Sequence, residues 1–350
     1  MTKINLIFTF DYELPMGSCR SYQKGIFEPS EALLNVARDQ NIKIVLFADI
    51  CSAIVFKEWD YKGYYLPFAN QLKEAISGGH EVQLHLHPGW LNSTFKNEKY
   101  YPSGSNTLSN FSDVPYPGNI QGIIETGVKE LNEICSEGDN YKCIAYRGGG
   151  YNMSPDTDLI LTNLYKNGII YDSSVIKGYY FKSELQETDY RKMPRKANWI
   201  IPLDGPMNSS AEKGIIEIPV ASMPATPWLR LNRIMKKVRN KNLYKKLKYD
   251  NTGSGNSGKK SNLIGSIKSV IYAPLILSFD HLHLDLPTLN QIIQYQLKIY
   301  KEEDEITLCV NSHPKTMGKY HLEQMSRFID VLRTRYKDSV NICGYRDLNF

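Results

Sequence analysis

The sequence predicts an α/β protein built on a parallel sheet, either doubly wound or closed as a barrel. Three observations predict it. Short apolar, β-branched runs alternate with segments of helical periodicity along most of the chain. Acids, histidines and one arginine stand at the ends of nearly all these runs, where parallel sheets place ligands and catalysts. The 350 residues suffice for one large barrel, and 42% hydrophobic with 23% charged content describes a globular chain.

The elements follow in order. Residues 4–10 form the first strand, and Pro29 stands just ahead of a helix over about 30–39. Residues 43–48 are the second strand. A helical run over 69–77 stops at Gly78-Gly79, a helix-ending pair. Val82, Leu84 and Leu86 then alternate with Gln83, His85 and His87, the period of a third strand. Ile120, Ile123, Ile124, Val128, Leu131 and Ile134 recur at helical spacing, and residues 143–146 are a short strand. Ser154-Pro155 reads as an N-cap with proline at the first helical position, opening a helix that ends at Gly168. Residues 169–171, 214–220, 275–279 and 306–310 are further strands, with helices after Pro287 and around 322–332. Two stretches interrupt this rhythm without the look of separate domains. Residues 91–118, rich in Asn, Ser, Tyr and Pro, predict a long surface loop. Residues 221–266 predict a basic, Gly/Ser-containing insertion.

Composition narrows the function. No run of about 18 apolar residues occurs, which argues against a membrane span. The six cysteines are scattered without a CxxC pair, and the first residues lead straight into a strand rather than an export signal. The expectation is a cytoplasmic protein with reduced thiols. The net charge of +5 is unevenly placed: Arg230, Arg233, Lys236, Lys237, Arg239, Lys241, Lys245, Lys246 and Lys248 follow one another without an acid. Nucleic acid is not an expected partner, because the rest of the chain carries no matching basic surface.

Of seven histidines, His80, His85 and His87 fall within eight residues. Side chains two apart on a strand share a face, so His85 and His87 project together and begin a zinc-like site. The alternative is a strand whose ring nitrogens are simply satisfied. Other strand ends carry Asp11 and Glu13, Asp49, Arg147 with Gly148-Gly149-Gly150-Tyr151, Asp172, Glu217, Asp280 with His281, and Asn311-Ser312-His313. Each alone reads as a cap or a surface charge; together they exceed what solubility needs.

The set resembles the polysaccharide deacetylase family (carbohydrate esterase family 4, the NodB-homology fold). The family's T-F-D-D motif stands as Thr9-Phe10-Asp11-Tyr12-Glu13, and its H-(S/T)-x-x-H motif, after a glycine-led strand, as the segment from Gly79 to Gly89. R-x-P-x-(G/Y) is similar to Arg147-Gly148-Gly149-Gly150-Tyr151, D-x-(S/A) to Asp172-Ser173-Ser174, and the strand ending in histidine to Leu308 through His313-Pro314-Lys315. All five occur in order. The resemblance implies a distorted (β/α)7–8 barrel, a single domain with two surface insertions, and a metal-dependent N-deacetylase of amino sugars. It implies Asp11 as general base, His313 as acid, Arg147 holding the base ionised and Asp172 steadying Arg147. It also implies one divalent metal, zinc or else cobalt or nickel.

Two departures bear on that metal. Tyr12 stands where the family has a metal-binding Asp, and Gly89 where it has the second histidine. Glu13 and His87 share faces with Asp11 and His85 and can substitute, giving Glu13, His85 and His87 as ligands. Otherwise the site is degraded and the protein binds sugar without turnover; a third reading is a phosphate- or lipid-handling protein with structural histidines. Tyr151, Trp90, Asp280 and His281 are candidates to touch substrate, although the Asp280–His283 cluster also reads as a minor metal site or a turn-fixing device. For a cytoplasmic member, the expected substrate is an N-acylated amino sugar carried on a nucleotide or a lipid diphosphate in surface-glycan assembly. Residues 228–248 interleave apolar and basic side chains, as in a helix lying on the inner face of a membrane or a solvated helix covering a barrel edge.

Overall fold

The computed structural model describes residues 2–16, 21–97, 99–101, 103, 107–136, 141–183, 186–239, 273–280 and 285–350. Seven parallel strands form its centre: β1 (Lys3–Tyr12), β2 (Val45–Asp49), β3 (Glu81–Leu86), β4 (Ala145–Gly148), β5 (Tyr171–Asp172), β6 (Ile215–Glu217) and β7 (Glu305–Ser312). They lie in the order β6-β5-β4-β3-β2-β1-β7. Trp199–Ile201 adds an antiparallel edge to β6, and Val340–Cys343 pairs with the first half of β1 while β2 pairs with its second half. Val220 bridges to Ile176 on one side and to Cys309 in β7 on the other, curling the sheet toward closure.

That last gap corrects one expected strand. Within residues 275–279 only Leu275–Ile276 is extended, and it pairs antiparallel with Ser222–Met223 outside the main sheet. Leu277 then donates its N–H to Ala221 O and accepts from Asn311 N. Single backbone bonds, not a regular ladder, therefore fill the space between β6 and β7. The result is a distorted barrel.

Eight helices are described: α1 (Glu28–Asp39), α2 (Ile50–Trp59), α3 (Leu66–Ser77), α4 (Ile120–Cys135), α5 (Thr157–Lys166), α6 (Pro227–Arg239), α7 (Leu286–Ile299) and α8 (Lys319–Val331). The two-residue period of the strands sorts side chains into two cores. On β1, Leu6, Phe8, Phe10 and Tyr12 join the helix-covered cluster with Leu33, Phe68 and Phe328. Ile7 instead joins Val45, Phe47, Ala145 and Cys309 inside the barrel. Each such burial is worth roughly 1.5–3 kcal/mol, so a one-residue slip of β1 would exchange both sets at large cost. That register directs Thr9, Asp11 and Glu13 to the interior, above the apolar plug.

Local signals behave as read at the end of α3, where Gly79 takes φ 83° and His80 N donates back to Ala75 O. They do not at the start of α5. Its first helical bond runs from Ile160 N to Asp156 O, and Ser154 N donates to the Asn152 side chain instead. The cap position is thus Asp156, and Ser154-Pro155 lies outside the helix. The 91–118 stretch contains a small hairpin, Thr94–Lys96 with Lys99–Tyr101, that is tied to the barrel. Phe95 stacks on Trp59, and the Tyr100 hydroxyl donates to Pro15 O at 2.7 Å. Of the 221–266 insertion, residues 240–266 lie outside the described residues.

Candidate active site

At the floor of the site lies Arg147, projecting from β4 into the barrel with no exposed surface. Its guanidinium rests on the Phe47 ring, 4.2 Å from the centroid, on top of the apolar plug. Every side of the fork is bonded. Nε donates to Ser173 O (3.0 Å), one terminal nitrogen to Asp11 Oδ1 (2.6 Å) and Asn311 Oδ1 (2.9 Å), the other to Thr9 Oγ1 (2.8 Å) and Ser173 Oγ (2.9 Å). A planar, permanently charged donor fork is the side chain that can serve five acceptors at once.

Asp11 sits directly above. Burial by itself would raise its pKa, but the Arg147 charge and a hydrogen bond from His313 outweigh burial and hold the carboxyl well below its usual range. Its second oxygen accepts from Asn311 Nδ2 at 3.2 Å and lies 3.3 Å from His313 Nε2.

Two residues on, Glu13 meets the histidines of β3. Glu13 Oε2 lies 2.5 Å from His87 Nε2 and 3.4 Å from His85 Nε2. The two imidazoles stand nearly perpendicular with centroids 4.7 Å apart. Ligand atoms of Glu13, His85 and His87 all fall within 4.8 Å of one another. His85 Nδ1 is 2.7 Å from the Arg147 carbonyl, which can only accept, so that nitrogen carries the proton. The lone pair therefore resides on Nε2, a buried atom with no hydrogen-bond partner that faces Glu13. An orphaned nitrogen beside a second imidazole and a carboxylate is the donor set and second-shell bonding of a zinc-like site. The residues fit the metal that the resemblance implied. Gly149 is needed beside them, because a Cβ there would come 2.5 Å from Leu86 O and 2.8 Å from His87 Nδ1. Asp49, buried at the end of β2, accepts from His87 N at 3.1 Å and so fixes the approach of that ring.

His313 occupies the open side of the site. Its Nδ1 lies 2.7 Å from Asp280 Oδ2, which also accepts from His313 N at 3.1 Å. Burial works against the imidazolium, yet the hydrogen bonds to Asp11 and Asp280 and their charges push its pKa up to about 10. Nε2 thus presents a proton between Asp11 and Glu13. Lys315, two residues further on, places Nζ 2.8 Å from Glu13 Oε1, the oxygen turned away from His85 and His87. Burial would raise the Glu13 carboxyl, but Lys315 and His87 hold it well below the carboxylate range.

The structure brings Asp11, Glu13, His85, His87, Arg147, Asp280 and His313 together, and Tyr151 joins them by accepting a hydrogen bond from Asn311 Nδ2. It moves two others. Asp172 does not touch Arg147: it is paired with Glu217 across β5 and β6, on the opposite pleat face, and bonds Ser174 instead. The next residue, Ser173, faces inward and steadies the guanidinium in its place. Trp90 is fully buried, packed against Phe56 and Tyr100, and has no surface to offer a substrate. Asp280 serves His313 rather than an open cleft. His281 and His283 lie outside the described residues.

Thr9, Asn311, Ser173 and Lys315 receive no role from the sequence, although all lie in or beside the five motifs. The usable signal was parity, since Thr9 shares a face with Asp11, and Asn311 with His313.

No protein-family model matches the chain, and no curated protein matches it in sequence. Solved structures do. A polysaccharide deacetylase from Mycobacterium smegmatis aligns at TM-score 0.50 and 12% identity, over 99% of this chain and 88% of its own. One from Pseudomonas aeruginosa PAO1 aligns at 0.48 and 14%, over 99% and 89%. A carbohydrate esterase family 4 pseudoenzyme from Bacillus anthracis aligns at 0.38 and 10%, over 97% and 67%. At these identities the likeness is one of architecture, and the first structure carries it. The chain has the distorted (β/α)-barrel fold of that polysaccharide deacetylase, the fold its five motifs implied.

Proposed function

We propose that this protein is a metal-dependent hydrolase that removes the acyl group from an N-acylated amino sugar. The observation that carries the proposal is the convergence of Glu13 Oε2 and the two imidazoles, with the buried, unpartnered His85 Nε2 among them, beside an acid–base pair. A divalent metal held by Glu13, His85 and His87 would supply Lewis acidity toward the acyl oxygen and make water more acidic. The chain's own residues do the rest. Asp11, kept ionised by Arg147, accepts a proton from the attacking water. His313, protonated at neutral pH and oriented by Asp280, delivers its Nε2 proton to the departing amine as the C–N bond breaks. The products are a carboxylic acid and a free amino sugar. An amino sugar on a nucleotide or a lipid diphosphate is the proposed substrate, and zinc the proposed metal.

One observation favours a second reading. Lys315 already neutralises one oxygen of Glu13, which would suit a sugar-binding protein that holds no metal. Elemental analysis separates the two. About one equivalent of metal, lost in the His85→Ala/His87→Ala variant, supports the hydrolase. Acetate release from nucleotide- and lipid-linked N-acetyl amino sugars then tests turnover. A protein that stays empty after exposure to zinc, cobalt and nickel would leave only the binding role.

A further inference from the structure

A second surface feature, outside the residues of this site, is the apolar stripe of α6. The helix touches the rest of the protein along one side: Leu229 packs against the main core, and the Lys236 ammonium pairs with Asp285, the N-cap of α7. Among the described residues its other side is apolar and exposed. Trp228 is 68% exposed, Leu231 49%, Met235 49% and Val238 71%. At about 100° per residue these four fall within one arc of roughly 80°, while Leu229 and Lys236 lie together on a different side. Four large apolar side chains in one stripe are not the scattered exposure expected of any surface.

Along the segment itself the charge is of one sign. From Ile218 to Tyr249 there is no Asp or Glu, and α6 alone contains Arg230, Arg233, Lys236, Lys237 and Arg239. On the same wheel all five basic positions fall outside the apolar arc. A tryptophan-bearing apolar stripe bordered by cations is complementary to one kind of surface, the headgroup region of an anionic bilayer. A water-filled interface with another protein would not require this excess of cations. Among the described residues no helix is long and apolar enough to cross a membrane, so attachment would be peripheral.

We infer that α6 docks the protein on anionic membranes, with Trp228, Leu231, Met235 and Val238 entering the headgroup layer and Arg230 and Arg239 beside them meeting lipid phosphates. This does not depend on the hydrolase reading. α6 follows the carboxyl end of β6, the same end of the barrel that carries Glu13, His85 and His313, so docking would hold that rim near the lipid surface.

Cosedimentation of the full-length protein with phosphatidylcholine vesicles, with and without phosphatidylglycerol, tests it. Binding should be at least about tenfold tighter on the anionic vesicles and should weaken with added salt. A blue shift of Trp228 fluorescence should accompany it. The variant Trp228→Ser/Leu231→Ser/Met235→Ser/Val238→Ser removes only exposed side chains, so it should fold, keep the wild-type melting temperature and lose vesicle binding. Equal or absent binding to the two vesicle types would overturn the proposal, as would undiminished binding by the quadruple variant. A concentration-dependent dimer that the quadruple variant abolishes, with no vesicle binding, would assign the stripe to a second copy of the chain instead.

Discussion

Replacing Arg147 by methionine isolates the electrostatic centre of the site. The wild-type guanidinium satisfies five acceptor contacts on Asp11, Asn311, Thr9 and Ser173, all in buried residues. Methionine preserves much of the volume over Phe47 but donates nothing. Breaking one half of a buried ion pair costs about 3–5 kcal/mol, because the remaining charge is left without compensation. The four neutral acceptors can largely rotate to new partners, and what remains unsatisfied among them adds roughly 1 kcal/mol in all. A loss of about 4–6 kcal/mol follows, comparable to the whole stability of a marginal domain. Urea denaturation of Arg147→Met and of Asp11→Asn/Arg147→Met supplies the assay. The double variant carries no buried charge at this position and should regain about 2 kcal/mol or more over the single one. Should Arg147→Met not fold, the comparison becomes soluble yield and melting temperature of the double variant against Arg147→Lys, which keeps the charge but not the fork. A double variant no more stable than Arg147→Met would show that the pair is not what holds the barrel interior together.

Other consequences follow from neighbouring contacts. His313→Gln should lower kcat by about 10²–10⁴ through loss of the proton donor while leaving metal stoichiometry intact; near wild-type turnover would remove His313 from the acid role. Lys315→Met takes a cation off the Glu13 carboxylate, and neighbouring charges at about 4 Å interact by roughly 1–4 kcal/mol, so metal should bind at least about tenfold tighter in a competition titration. Unchanged affinity would mean Lys315 moves aside on binding. Burial raises the pKa of Glu217 well above normal, and that of its neighbour Asp172 as well. A carboxyl with a raised folded-state pKa contributes fully below its unfolded pKa, and that contribution is lost as pH rises toward the folded value. Glu217→Gln should therefore be more stable than wild type, by about 1–3 kcal/mol at pH 8, with the gap closing near pH 4. A gap independent of pH would exclude a protonated Glu217.

Much of the fold was legible because parallel strands and their covering helices write two distinct periods into the chain. The same parity argument pairs His85 with His87 and Asp11 with Glu13, and the structure brings these four side chains to one place. Where parity was ignored the reading slipped. Asp172 was assigned to Arg147 through a motif, but the neighbouring Ser173 is the residue on the inner face. Trp90 is a substrate candidate from the sequence, yet apolar packing with Phe56 and Tyr100 draws it into the core. The irregular closure around Leu277 has no period to detect, since isolated backbone bonds leave no side-chain pattern. Lys315 gave no signal of its own, because a single lysine after a histidine is usually solvated.

The position of Tyr12 bears on any attempt to engineer this site. Its ring lies against Phe68 with centroids 5.0 Å apart, its hydroxyl donates to Gln71 Oε1 at 2.9 Å, and no part of it is exposed. Putting back the aspartate that the family motif carries there would restore a line of text and damage the molecule. The new carboxylate would point away from His85 and His87 into a hydrocarbon layer, next to a cavity left by the phenol. In the proposed site the spelling Asp-Tyr-Glu puts the oxygen donor one residue along, at Glu13, and leaves the strand its aromatic anchor.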